Sequence, residues 1–420
     1  MRTSALVLLA FLAAACTGDA GPSGGESAPV SLQVFGEPEE TRIYHSLIEE
    51  YRRDNPDADV NLIEIAERDD HLARLSTSFA GGEPPDIFMI NFREYSQFVA
   101  RGAIQPVEDL LVDRGIELDD YYEPPRDAFT YDGKLQCMPQ NISSLVVYYN
   151  TRLFKRAGID PPRGGWTWDE FRAAGAALTN GEVDGIGLDP NIIRLAPFIW
   201  SNGAELTDDP SHPTRFTLDD PAAREAFEFL VSLVRDEGVV PTEQEVAAQD
   251  LDTRFINGRL GMLLTSRRET PVFREVTGLR WDVLPLPHAE EKASILHSDA
   301  YCISTGSDAA ESAADFISFA VSADGQTLAA LSGRTVPSLI EVSTSGAFFD
   351  PSQPPAHPEV FIDAIDGMRF TPVLPTWPEI EDVTEQVLIK AFYEEGFTID
   401  EAIREIDEKT RPLFEEAATG

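Results

Sequence analysis

Seventy-three carboxylates, six histidines and three cysteines are among the side chains of this 420-residue sequence able to move protons, bind a metal or attack a carbonyl. Their spacing argues against most of that chemistry. No G-x-S-x-G elbow, H-E-x-x-H pair or phosphate-cradling Walker loop occurs, and the histidines are scattered rather than grouped with cysteines at metal-ligand intervals. No cofactor or metal is expected. The carboxylates are too numerous to exclude a pair flanking a glycosidic bond, so a secreted glycoside-acting enzyme is the competing functional class.

Cys16 is the residue whose setting matches a specific modification. Arg2 gives a positive start, Ala5 to Ala15 is an unbroken run of small and apolar residues, and the chain turns polar after Cys16. The run is too short to cross a bilayer and has the order of a secretory signal. A cysteine at the cleavage point makes residues 1–16 resemble a bacterial lipoprotein signal, with Cys16 the lipidated first residue of the mature chain, although Ala13 stands where leucine is usual. Residues 17–29 (TGDAGPSGGESAP) read as a flexible tether. No later segment approaches roughly 18 uninterrupted apolar residues, so a soluble folded part, held at the cell membrane by its N-terminus, is expected.

The net charge of −40 repels nucleic acid and anionic headgroups and reads as a solvated surface. No nucleic-acid partner is expected, and a monomer is. Signal and tether removed, roughly 390 residues remain, more than one core normally serves, which predicts two lobes. Cys137 and Cys302 either pair or stay as two buried thiols.

Strands and helices alternate along the chain. Ser31–Phe35 reads as a strand, Thr41–Asp54 as a helix, Val60–Ala66 as a strand, His71–Ala80 as a helix ended by Gly81-Gly82, and Asp86–Ile90 as a third strand. That order predicts a parallel sheet covered by helices, with ligand beyond the carboxyl ends of the strands. Those ends are Phe35 to Glu37, Arg68 to Asp70 and Asn91 to Glu94.

The segment from Gly82-Glu83-Pro84-Pro85-Asp86-Ile87-Phe88 to Gly102-Ala103-Ile104-Gln105-Pro106 is similar to a run in the extracellular solute-binding proteins of ABC importers. Further matches follow in family order: Tyr131-Asp132-Gly133-Lys134, Tyr148-Tyr149-Asn150 to Gly158, Trp166 to Phe171, Phe255 to Met262, and Trp281 to Pro287. Together they resemble the sugar-binding, maltose-binding-protein-like group (family 1). Most of these residues also have a scaffold reading: Thr167 as an N-cap, Asp132-Gly133 as a tight turn, and Trp166 and Trp281 as core.

The resemblance implies an α/β, two-lobe, periplasmic-binding-protein-like fold of type II, with hinge strands between the lobes. The N-lobe would be 30–139 and 296–338, and the C-lobe 140–295 and 339–420. The chain would cross near Pro139 to Ser144, return near Ser294 to Ala300, and cross again after Pro337. Cys137 and Cys302 would then lie on crossing-adjacent strands, which admits a disulfide. The implied activity is capture of a mono- or oligosaccharide in the interlobe cleft and delivery to membrane permease subunits, without catalysis.

Sugar sites combine aromatic faces with planar polar groups. The expected contacts are Phe35, Glu37, Asp69, Asp86 and Asn91 near the first strands, and Gln140 and Asn141 at the hinge. Trp200 and Asn202 come from a loop, Asp299 from the return strand, Arg334 from an R-x-x-P loop, and Trp377 from a Pro-flanked loop. After Gly261–Leu264, where relatives place an aromatic residue, this chain has Thr265-Ser266-Arg267-Arg268. Arg267 and Arg334 could pair with a carboxylate or phosphate, which makes an anionic sugar or polyol phosphate the alternative ligand.

Overall fold

The structure is a computed structural model that describes residues 28–36, 38–162 and 164–419. Glu37 and Cys16 lie outside the described residues. The first strand, Val30–Phe35, alternates little because helices cover both its faces: Val30, Leu32 and Val34 are buried on one side and Gln33 on the other. It pairs in parallel with Val60–Ile65 on one edge and Ile87–Asn91 on the other. Helix Pro38–Asp54 connects the first two strands, and helix Arg68–Gly81 connects the second to the third. Gly82, at φ 74°, ends the second helix in the left-handed conformation, and its N–H bonds the Phe79 carbonyl.

The expected parallel sheet is only half of what forms. Strand Asp299–Ser304 returns from much later in the chain and enters antiparallel beside Ile87–Asn91, pairing also with Cys137–Pro139. Cys302 lies opposite Cys137, and their sulfurs are joined, with the Cα atoms 4.4 Å apart.

A second sheet runs in the order Asp184–Gly187, Leu260–Thr265, Val146–Asn150, Trp281–Leu284. Its close packing depends on missing side chains: a Cβ at Gly185 would stand 2.1 Å from the Gly175 carbonyl oxygen in helix Trp168–Leu178. That helix begins at a capping box in which Thr167 and Glu170 satisfy each other's backbone N–H groups. Asp132 (φ 51°) and Gly133 (φ 72°) form the turn of a short hairpin, both left-handed as a type I′ turn requires.

Between the two sheets lies a third, in the order Val336–Pro337, Asn141–Ser144, Ser294–His297, Met368–Arg369. Its first three strands are the segments predicted to cross between lobes. Apolar side chains form two buried clusters, one including Val34, Phe88 and Tyr301, the other Phe171, Trp200 and Leu230. No described helix is long and apolar enough to cross a membrane.

Candidate functional site

Where the strands of the first sheet end, they face the hinge sheet and the C-terminal end of Leu260–Thr265 across a cavity of about 210 Å³. Its lining comes from three sources. Phe35, Arg68, Asn91, Arg93, Asp299, Arg334 and Thr335 come from the first sheet and its flanking helices, Asn141, Ser143 and His297 from the hinge, and Arg194, Thr265, Ser266 and Arg268 from the second sheet's side.

Hydrogen bonds hold the polar lining in place. Asn91 lies opposite Asp299 in the ladder, and its Nδ2 donates to Asp299 Oδ1 at 3.0 Å. The Asn91 Oδ1 caps the following helix, accepting from the Arg93 backbone N–H and Nε at 3.3 Å. Asn141 Oδ1 accepts from the Asp299 backbone N–H at 2.8 Å, which ties the hinge to the return strand. Ser143 and His297 are ladder partners in the hinge sheet. The Ser143 Oγ and His297 Nε2 are shielded from solvent, and each is without a hydrogen-bond partner.

Five guanidinium groups face the cavity, each braced by a carboxylate that does not line it. Arg68 pairs with Glu94 at 3.1 Å, Arg93 with Glu381 at 2.6 Å, Arg194 with Asp189 at 3.1 Å, Arg268 with Glu269 at 3.1 Å and Arg334 with Glu40 at 3.2 Å. Burial works against the charge of Arg93 and Arg334, but the neighbouring carboxylates outweigh it and hold both above the ordinary arginine value. Burial pushes the His297 imidazole well below its ordinary value, and Arg93, Arg194 and Arg268 push it further, so the ring is neutral.

Of the residues expected from sequence, Phe35, Asn91, Asn141, Asp299 and Arg334 meet in this cleft. The others are placed elsewhere. Asp86 precedes its strand, at the end opposite the cleft, and ties the sheet through Ser31 and Ser307. Asp69 points to solvent from the first turn of its helix, 94% exposed. Gln140 turns inward, donating to the Tyr44 hydroxyl at 3.0 Å.

Trp200, expected in a loop, lies within helix Ile192–Ser201 with its side chain in the core and the Arg369 guanidinium 5.0 Å from its ring. Trp377 starts helix Trp377–Tyr393 and packs on Phe216 and Phe414, its Nε1 donating to Glu381. Both indoles are more stable in the apolar interior than in a cavity of cations and amides. Asn202 donates to Ala222 and Glu225 on the outer side of the second lobe. Arg267 is fully buried, its guanidinium 4.3 Å from the Phe348 ring centre and 5.0 Å from that of Phe361.

Sequence reasoning passed over Arg68, Arg93, Arg194, Arg268, Ser143 and His297 as contacts. Arg68 and Arg93 stand at the very strand ends where ligand was expected, beside the carboxylates and carboxamides preferred there. Arg194 had no sequence signal, because it reaches the cleft from the first turn of a helix whose other visible feature is its apolar face.

A second cavity, of about 250 Å³, lies where strand Trp281–Leu284 meets helix Glu359–Asp363. Its lining is mainly apolar, with Leu145, Leu286 and Val360. Its His357 is engaged by the Asp282 carboxylate at 2.5 Å, and Lys292, Glu359 and Asp363 also line it. Among the described residues no group of three or more His, Cys, Asp or Glu side chains is placed to hold a metal.

The sequence profile of the bacterial extracellular solute-binding proteins matches residues 46–358. The chain belongs to that family. A binding protein of Brucella abortus (strain 2308) is 25% identical over 406 residues, 94% of each chain. The sn-glycerol-3-phosphate-binding periplasmic protein UgpB of Yersinia pestis (strain Antiqua) is 30% identical over 137 residues, 32% of this chain and 31% of that one. Among solved structures, the ABC substrate-binding protein Lmo0181 of Listeria monocytogenes, in complex with cycloalternan, superposes with a TM-score of 0.84. It is 25% identical and covers 92% of this solute-binding protein and 99% of its own chain. The two-lobe, mixed α/β fold is thus the family's fold.

Proposed function

We propose that this solute-binding protein captures a carbohydrate or a closely related polyhydroxylated solute in the interlobe cleft and presents it to the permease of an ABC importer. One observation carries the reading: a single polar cavity has walls from both sheets and a floor from the strands that connect them. Ligand contacts to both walls favour the closed arrangement, and hinge bending at 139–144, 294–300 and 337 delivers it. The lobes are taken as 30–139 with 296–338, and 140–295 with 339–420. Cycloalternan, bound by the Listeria protein, and the glycerol phosphate named for the Yersinia relative both support a polyhydroxylated ligand.

Phe35, Asn91, Asn141, Asp299 and Arg334 are the proposed contacts foreseen from sequence, joined by Arg68, Arg93, Arg194, Arg268, Ser143 and His297. The carboxylates position side chains and transfer no proton. Cys16 is the proposed lipid anchor, and tethering raises the effective concentration of the monomeric receptor at its permease. A thermal-shift panel of mono- and oligosaccharides and their acidic or phosphorylated derivatives tests the reading, since ligand bound only to the folded state raises the Tm. Saturable binding with the ligand recovered intact is expected. Conversion of the bound compound by purified protein would instead establish a glycoside-acting enzyme.

A further inference from the structure

We infer that the cleft takes a small phosphate ester, a phosphorylated polyol or monosaccharide, gripped by guanidinium groups from both walls. The inference rests on the reading that the interlobe cavity is the ligand site.

The donor and acceptor inventory of the lining carries it. Among the described residues, five arginines face a cavity whose one carboxylate is Asp299. Their bracing carboxylates engage one or two nitrogens of each five-donor guanidinium, so Arg93 Nη2 and Arg194 Nη1, for example, take no part in those pairs. Several acceptors, by contrast, are committed within the protein: Asn91 Oδ1 to Arg93, Asn141 Oδ1 to Asp299, and Asp299 Oδ1 to Asn91, which leaves Asp299 Oδ2 and the hydroxyls of the lining. A neutral sugar offers roughly as many hydroxyl donors as acceptors and leaves this excess of donors unmet. A phosphate ester brings up to two negative charges and three terminal oxygens that only accept.

Two further observations agree. Ser143 Oγ and His297 Nε2 sit on the cleft floor with no partner in the protein, and shielded polar atoms in that state require one. The hydroxyl donates to a phosphate oxygen, as does the imidazole in its Nε2–H tautomer. The aromatic platforms of a neutral saccharide site are reduced to Phe35, because Trp200 and Trp377 are in the core.

A carboxylate ligand fits less well. Its two oxygens accept in a single plane, whereas arginines on facing walls approach one volume from different directions, which the three terminal oxygens of a tetrahedral phosphate meet. The guanidinium groups stand closer to that volume than their bracing carboxylates do, so an anion there is attracted on balance and screens one wall's charge from the other. Ligand and closure are then coupled. The volume of about 210 Å³ accommodates a polyol or a single ring.

Isothermal titration of the purified protein tests this with glycerol 3-phosphate and glucose 6-phosphate against glycerol, glucose, maltose, glucuronate and inorganic phosphate. At least one ester should bind about 100-fold more tightly than its neutral parent, and more weakly as NaCl rises from about 0.05 to 0.5 M. Arg268→Gln and Ser143→Ala should each lower that affinity about tenfold or more, with the ligand-free Tm unchanged. Saturable binding of glucose or maltose with neither ester bound would overturn the anion assignment and leave the carbohydrate reading standing. Glucuronate outbinding both esters would replace phosphate with carboxylate, and inorganic phosphate binding as tightly as the esters would remove the polyol. Failure of every compound would overturn both readings together.

Discussion

Arg267 and Arg268 are neighbours in sequence and occupy opposite environments. The Arg267 guanidinium is enclosed between Phe348 and Phe361, its Nε and Nη1 are without hydrogen-bond partners, and burial brings its pKa down to about 9. Arg268 has a side chain 60% exposed, pairs with Glu269 and faces the cleft. Both belong to a tight 3-10 turn, Arg267–Glu269, in which successive side chains diverge by about 120°. The same contrast separates two histidines. His71 is buried with both ring nitrogens engaged, by Gln33 and the Met89 carbonyl, while His297 keeps an unpartnered Nε2 at the cleft. The interior pair is enclosed by the fold, His71 through hydrogen bonds and Arg267 through ring contacts, while the cleft pair is held in position and faces the cavity.

The largest effect that could break this contrast is at Arg267. Arg267→Ala should lose about 3–5 kcal/mol in urea unfolding, because it opens a cavity and removes two ring contacts. Arg267→Met should stay near wild type, because a flexible apolar chain fills the space without a buried charge. Equal destabilisation by both would show that the guanidinium itself is needed there. Neither variant should change ligand affinity.

His71 should make stability depend on pH. Burial holds its imidazole down to about 4, from an ordinary 6.5, against the opposing Met89 carbonyl and Asp299. The folded state therefore favours the neutral ring, so this contribution is complete above pH 6.5 and is lost as pH falls towards 4, reaching about 3 kcal/mol. Unfolding free energies measured from pH 7 to 4 should fall less steeply in His71→Gln than in wild type. An unchanged slope would remove His71 from the interior class.

Asn141→Ala should cost about 1–3 kcal/mol, since it strips the Asp299 N–H of its acceptor, and should weaken ligand binding as well. Arg268→Ala should be the mildest for stability, about 1 kcal/mol, because the Arg268 side chain itself is largely exposed although its partner Glu269 is buried. A larger loss of stability there, with affinity intact, would move Arg268 into the scaffold.

The scaffold was the readable part of the sequence because its signals are local. Alternating strand and helix patterns place the first three strands and two helices within a few residues, Thr167 and Glu170 form the capping box that their spacing predicts, and Asp132-Gly133 turns as its φ angles demand. The antiparallel insertion of Asp299–Ser304 was not readable from strand order, since that strand begins 208 residues after Asn91, the end of its neighbour Ile87–Asn91. At the site, Asn91, Asn141, Asp299, Phe35 and Arg334 were reached through strand ends and hinge segments. Trp200 and Trp377 misled because an indole serves a core and a stacking platform equally well by residue type, and only the surrounding packing distinguishes them.

Residue order alone determined the family, the alternation that builds a sheet under helices, the excess of surface carboxylates, and the strand ends from which a ligand is met, because all of these are encoded over short separations or by composition. Tertiary structure decided which arginines reach the cleft, which polar atoms stay unpartnered there and which tryptophans vanish into the core. Those outcomes depend on how residues hundreds of positions apart share a limited volume. A cation turned towards solvent in the cleft keeps its hydration until a ligand replaces it, and one turned inward, as Arg267 is, has only what the protein packs around it.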